Sequence, residues 1–83
     1  MYYAVLLLRQ SNLDYTIVRP ENLTNETGTG KVIIGDYLPH TYTSRSNVAA
    51  TIIAALENGN TIQKAFDVED GDTPVNEAIN GAF

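Results

Sequence analysis

The acidic run Asp67-Val68-Glu69-Asp70-Gly71-Asp72 has the carboxylate density of a calcium loop, and its spacing argues against one. Counted from Asp67, glycine falls at the fifth place instead of the sixth, and the twelfth place is Ala78, where glutamate is required. A charged turn between a strand and a helix accounts for the run, and no metal site is expected. Thr27-Gly28-Thr29-Gly30 has the small residues that let a backbone approach phosphate. It follows a loop and precedes a short apolar stretch, so it lacks the strand-before, helix-after setting of a phosphate cradle. His40 is the one histidine, in Pro39-His40-Thr41-Tyr42; a lone imidazole without a carboxylate or second ligand reads as a solvated loop residue. Arg19 either pairs with a carboxylate across the strand ends or contacts a ligand phosphate, and isolated arginines most often find carboxylates.

The elements that must position these residues centre on Ser11 to Leu23. Leu13 to Pro20 reads as a strand, nearly continuous in apolar and β-branched residues as in a parallel strand covered on both faces. Open α/β sheets bind ligands beyond the carboxyl ends of their strands, which points to the residues after Val18. Residues 1 to 12 read as the last turns of a helix whose beginning belongs to something missing, stopped by Ser11-Asn12. Glu21 to Gly30 is a loop, and Lys31 to Gly35 a short extra strand; Asp36 to Thr43, broken by Pro39, is irregular.

Ser44 to Asn58 is a helix, with Ser44 or Ser46 as its cap and Gly59 at a left-handed terminus. Val48, Ile52, Ala55 and Leu56 make its apolar stripe, and so little polar face remains that more than one side should be covered. Thr61 to Glu69 carries a second strand. Thr73 then caps a last helix, with Pro74 at its first position and Gly81 as its stop.

Composition narrows the function. The chain has 83 residues, 43 % hydrophobic, with a formal charge of −5 and no cysteine. That length suits one domain with a thin core, since a chain this size buries roughly 60 to 70 % of its unfolded surface. Five scattered cations, Arg9, Arg19, Lys31, Arg45 and Lys64, make a poor nucleic-acid footprint. Without cysteine there is no disulfide framework, and a cytoplasmic setting is the default. The opening apolar run of eight residues is too short to span a bilayer and lacks a signal peptide's basic lead, so no membrane association is expected.

Ser11-Asn-Leu-Asp-Tyr-Thr-Ile-Val-Arg-Pro-Glu-Asn-Leu-Thr-Asn-Glu-Thr-Gly-Thr-Gly-Lys-Val32 resembles the S-G-L-D-Y-T-I-V-R-P-G-x-L-T-x-E-x-G-T-G-K-V segment of atypical short-chain dehydrogenase/reductases. These are the NmrA-like or epimerase/dehydratase-like NAD(P)-binding proteins. Thr43 to Ala49 is similar to that family's I-S-R-x-D-V-A helix start, and Phe66 to Ala78 to its final strand and helix. The resemblance covers essentially the whole chain but only the family's C-terminal third. It implies the C-terminal portion of a Rossmann-like, doubly wound parallel sheet in the order helix, strand, small strand, helix, strand, helix, completed by self-association. Residues 1–83 would form one partial NAD(P)-binding domain.

The resemblance further implies that Pro20, Glu21, Asn22 and Leu23 face the nicotinamide of NAD or NADP, and that Arg45 faces the substrate cleft. The scaffold reading stands beside it: Pro20 ends the strand and Leu23 plugs the core. Glu21 replaces the family's usual glycine, and Asn47 its aspartate, in a structural role at the helix start. The family's Tyr-x-x-x-Lys pair, in which the lysine lowers the tyrosine's pKa for proton transfer, has no counterpart. Four residues after Tyr2 and Tyr3 stand Leu6 and Leu7, so both tyrosines read as core or interface aromatics and no catalytic residue is expected.

Three expectations follow. The chain is inactive alone and holds no cofactor tightly; or it is a self-associating, non-catalytic module, a homodimer that covers an orphaned edge on the Tyr15 to Val18 strand; or a separate chain supplies the missing N-terminal Rossmann half.

Overall fold

The computed structural model describes residues 4–8, 14–36, 38 and 42–82. Among them the order is β1 (Val5–Leu8), β2 (Tyr15–Pro20), β3 (Leu23–Thr24), β4 (Lys31–Gly35), β5 (Thr43–Ser44), α1 (Arg45–Glu57), a 3-10 turn (Gly59–Thr61), β6 (Lys64–Asp70), β7 (Thr73–Pro74) and α2 (Val75–Ala82). Five strands form one mixed sheet in the order β1-β2-β6-β4-β7, and β3 pairs with β5 in a small second one. The centre is parallel: β2 runs beside β6 with Thr16 opposite Lys64 and Pro20 opposite Val68. β4 returns antiparallel along the far side of β6, so the β2 and β6 carboxyl ends and the start of β4 meet at one rim.

Alternation along β2 sets the core. Thr16, Val18 and Pro20 are buried while Tyr15, Ile17 and Arg19 are half-exposed, the period-2 pattern of a sheet covered on one face. Val18, Val32, Phe66 and Val68 meet Ala54 and Ala55 of α1 and Val75 and Ile79 of α2 in a single cluster. Both helices therefore lie on the same face. On the other face Ile33 of β4 is exposed and Ile17 of β2 half-buried, while Glu69 of β6 is fully buried.

Several local expectations are corrected. In place of the end of a helix, Val5–Leu8 is a strand, antiparallel to β2 with Val5 opposite Val18 and Leu8 opposite Tyr15. A short apolar run carries no period that separates helix from strand, and the ladder along β2 decides it. The β2 edge is accordingly occupied, and the outer edge of the sheet belongs to β1.

α1 starts where expected, with Ser44 Oγ accepting the Asn47 amide at 3.3 Å. Its buried stripe is Asn47, Thr51, Ala54 and Ala55, turned one residue from the apolar one, because hydrogen-bonded polar side chains take the inward positions. The helix ends at Asn58, in extended backbone, whose Nδ2 donates to the Ala54 carbonyl at 3.0 Å; no left-handed Gly59 is used. Thr73 and Pro74 pair with β4 instead of opening α2, and the Val75 amide is taken by the Gly30 carbonyl at 2.9 Å. α2 then continues through Gly81 to Ala82.

Candidate functional site

The site is built where β2 stops. Pro20 is buried in register with Val68, and as a proline it ends the ladder it belongs to. The chain then turns back over the start of α1. The Glu21 amide donates to Thr43 Oγ1 at 3.1 Å, and that hydroxyl donates onward to the Val68 carbonyl at 2.9 Å. One buried threonine thus ties the turn to both β5 and β6. Asn22 adopts φ 38°, the left-handed side of the map that asparagine tolerates better than most side chains. Its carbonyl accepts the Thr43 amide at 3.3 Å, which starts the parallel pairing of β3 with β5.

That pairing brings Leu23 and Arg45 together. They line one groove with Val48, Ala49 and Ile52 of α1, about 230 Å³ in volume. Val48 and Ile52, expected in the core, are the half-buried wall of this groove. Arg45 is exposed, and its Nε donates to Asn25 Oδ1 at 2.9 Å. Of the residues expected at the site, Leu23 and Arg45 share the groove; Pro20 and Glu21 are buried behind it, and Asn22 is exposed at the turn. Next to Leu23, Thr24 Oγ1 is buried with no hydrogen-bond partner among the described residues. Asn25 was not legible as a site residue: it stands twenty positions from Arg45, in a loop with no motif of its own.

The other candidates have structural occupations. Arg19 takes the carboxylate alternative twice over, with Nε at 2.6 Å from Asp67 Oδ1 and Nη2 at 3.1 Å from Asp36 Oδ1. The Thr27 to Gly30 loop is stapled to the first turn of α1: the Gly28 amide donates to Ser46 Oγ at 2.7 Å and the Gly30 amide to Asn47 Oδ1 at 2.9 Å. A Cβ on Gly28 would run into the side-chain oxygens of Ser44, Ser46 and Asn47, and Gly30 needs its φ of +76°. Both glycines therefore serve the contact of loop with helix.

Asn47 has the structural role expected of it, on an unexpected scale. Buried, it accepts from Gly30 and donates through Nδ2 to Asp70 Oδ1 at 2.8 Å and to the Lys31 carbonyl at 3.1 Å. Asp70 also accepts from the Ser44 amide at 2.9 Å, so a carboxylate of the acidic run holds the residue that caps the helix. No cluster of three or more metal-ligating side chains occurs among the described residues. Among the same residues, no helix is long and apolar enough to cross a membrane. Tyr2, Tyr3 and His40 lie outside them.

Comparison with known proteins gives the family. A family model described as NAD(P)H-binding matches residues 2–59. The chain is 47 % identical over 78 residues to YhfK of Bacillus subtilis, named an uncharacterized sugar epimerase, covering 94 % of this chain and 36 % of that protein. It is 38 % identical over 76 residues to a UPF0659 protein of Schizosaccharomyces pombe, covering 92 % and 31 %. Among solved structures, the oxidoreductase YlbE of Lactococcus lactis superposes with a TM-score of 0.80 at 33 % identity, over 88 % of this chain and 33 % of that one. A candidate NAD-dependent epimerase/dehydratase of Bacillus halodurans gives 0.78 at 39 % identity, over 87 % and 35 %. The chain spans about a third of the length of the curated relatives it matches.

Proposed function

Because this chain belongs to the NAD(P)H-binding family, we propose that it forms the C-terminal wall of the cofactor and substrate cleft of an NAD(P)-dependent epimerase/dehydratase or reductase-like protein. The observation that carries this reading is the meeting of the Pro20 to Leu23 turn with Arg45 at the carboxyl end of β2, where α/β sheets bind their ligands. On this reading Pro20, Glu21, Asn22 and Leu23 back the nicotinamide side of NAD or NADP, and Arg45 faces the substrate.

The cofactor, when bound, supplies hydride transfer; these residues orient it and keep water from its face. The sequence has no Tyr-x-x-x-Lys pair, and among the described residues no glycine-rich turn joins a strand to a helix; on this reading the chain alone binds NAD(P) weakly and is inactive. The reading sets the protein in the cytoplasm, where disulfide-free domains are the rule.

Isothermal titration of the chain with NADH and NADPH is the test: no micromolar binding is expected, and micromolar binding would overturn the incomplete site. At millimolar NADPH the amides of Asn22 and Leu23 should be the ones that shift in an NMR titration. Shifts confined elsewhere would displace the wall from this turn.

A second reading, a self-associating non-catalytic module, is favoured by exposed apolar residues at the β1 edge and on the outside of α1. Leu6 is 57 % exposed, Ile53 57 % and Leu56 46 %. Sedimentation equilibrium decides it, and a well-folded monomer at tens of micromolar, far above a tight dimer's Kd, would dismiss it.

A further inference from the structure

We propose that the groove along α1 takes a compact apolar compound bearing one carboxylate, and that it does not take a sugar. The inference rests on the reading that Arg45 faces the substrate, and adds the chemistry of what it meets.

Leu23, Val48, Ala49 and Ile52 supply no side-chain hydroxyl, amide or carboxylate to the groove. A pyranose laid there would leave several hydroxyls desolvated and unpaired on that side, each costing on the order of 1–3 kcal/mol. An alkyl or aryl body would not. Arg45 is the only cation among the lining residues. A nucleoside diphosphate carries two phosphates and calls for more than one cation or a run of free backbone amides, and here the amides of Gly28 and Gly30 are already bound to α1.

The state of the two arginines sharpens the point. Arg19 faces two carboxylates, whereas among the described residues Arg45 makes one hydrogen bond, through Nε to a neutral amide. No carboxylate among the described residues neutralises Arg45. The bond to Asn25 orients the guanidinium, and among the described residues neither terminal nitrogen has a hydrogen-bond partner, which leaves them for a planar, two-oxygen anion.

The test is an NMR titration of the 83-residue chain, observing the methyl groups of Leu23, Val48 and Ile52, with hexanoate, 1-hexanol and glucose 1-phosphate as probes. Hexanoate should shift all three side chains with at least tenfold higher affinity than hexanol. Glucose 1-phosphate should bind more weakly than hexanoate. In Arg45→Gln the hexanoate affinity should fall to that of hexanol, while hexanol itself is unchanged, which shows that the groove is intact. No hexanoate response, equal affinity for hexanoate and hexanol, retention of hexanoate in Arg45→Gln, or tighter binding of glucose 1-phosphate would each overturn the proposal. The Asn22 and Leu23 amide response to NADPH is a separate readout, so failure of the cofactor-wall reading is told apart from failure of the carboxylate assignment.

Discussion

Asn47 donates its side-chain amide to Asp70 Oδ1 at 2.8 Å from a position only 1 % exposed, and the same nitrogen reaches the Lys31 carbonyl. An amide can serve both acceptors; a carboxylate can serve neither. Asn47→Asp therefore faces the half-buried Asp70 with a buried carboxyl, at an expected cost of about 2–4 kcal/mol at pH 7. Two carboxyls sharing one site raise the pKa of one of them in the folded state. A raised folded pKa means full stability below the unfolded value and loss as pH rises through the folded one. The deficit against the parent should thus be small near pH 4 and complete at pH 7, as read from thermal unfolding by circular dichroism. A pH-independent deficit would refute the pairing.

The two contacts of Arg19 should separate by burial. The Asp67 side chain is 13 % exposed and that of Asp36 67 %. Asp36→Asn should cost below about 0.5 kcal/mol, as exposed pairs do. Arg19→Met leaves Asp67 without its partner and should cost about 1–3 kcal/mol, less than a fully buried pair because Arg19 itself is partly solvated. Urea unfolding midpoints at constant m-value check both.

Paired glycine substitutions should diverge. Gly28→Ala pushes a methyl into the three side-chain oxygens that organise the start of α1, and should destabilise by about 1–3 kcal/mol. Gly59→Ala meets nothing within 4 Å and needs no left-handed backbone, so it should be neutral or stabilise by up to about 1 kcal/mol. Calorimetric Tm values of the two variants give the comparison.

Hydrogen exchange will distinguish the strand over Val5–Leu8 from the helix that its sequence suggested. An edge strand bonded on one side to β2 protects alternate amides, whereas a helix protects consecutive ones. Alternation is expected, and uninterrupted protection would return the segment to a helix.

What was legible in the sequence was what periodicity and caps record. β2, β4, the span of α1 with its Ser44 cap, and the Arg19 ion pair all follow from residue types that admit few alternatives. The resemblance in three ordered blocks also pointed to the right family. Val5–Leu8 failed because an all-apolar run has no period, and because the β2 ladder that decides it is a tertiary pairing. The rotation of α1 failed for a deeper reason. Hydropathy ranks Asn47 and Thr51 as surface residues, yet Asp70 and Gly30 meet Asn47 inside, and the Thr51 hydroxyl is returned to the Asn47 carbonyl at 2.8 Å. Those partners are distant in the chain or belong to the backbone, and no local window holds them.

The pairing of β2 with β6 also sets an order of assembly. Arg19 and Asp67, neighbours across that pair, are 48 residues apart. At a synthesis rate of roughly 5–20 residues per second, β2 waits about 2–10 s for its parallel partner to emerge. β1 precedes β2 in the chain and pairs with it antiparallel, so that pairing does not have to wait for β6. The β1 partner therefore covers one flank of β2 while the other still waits for its parallel neighbour.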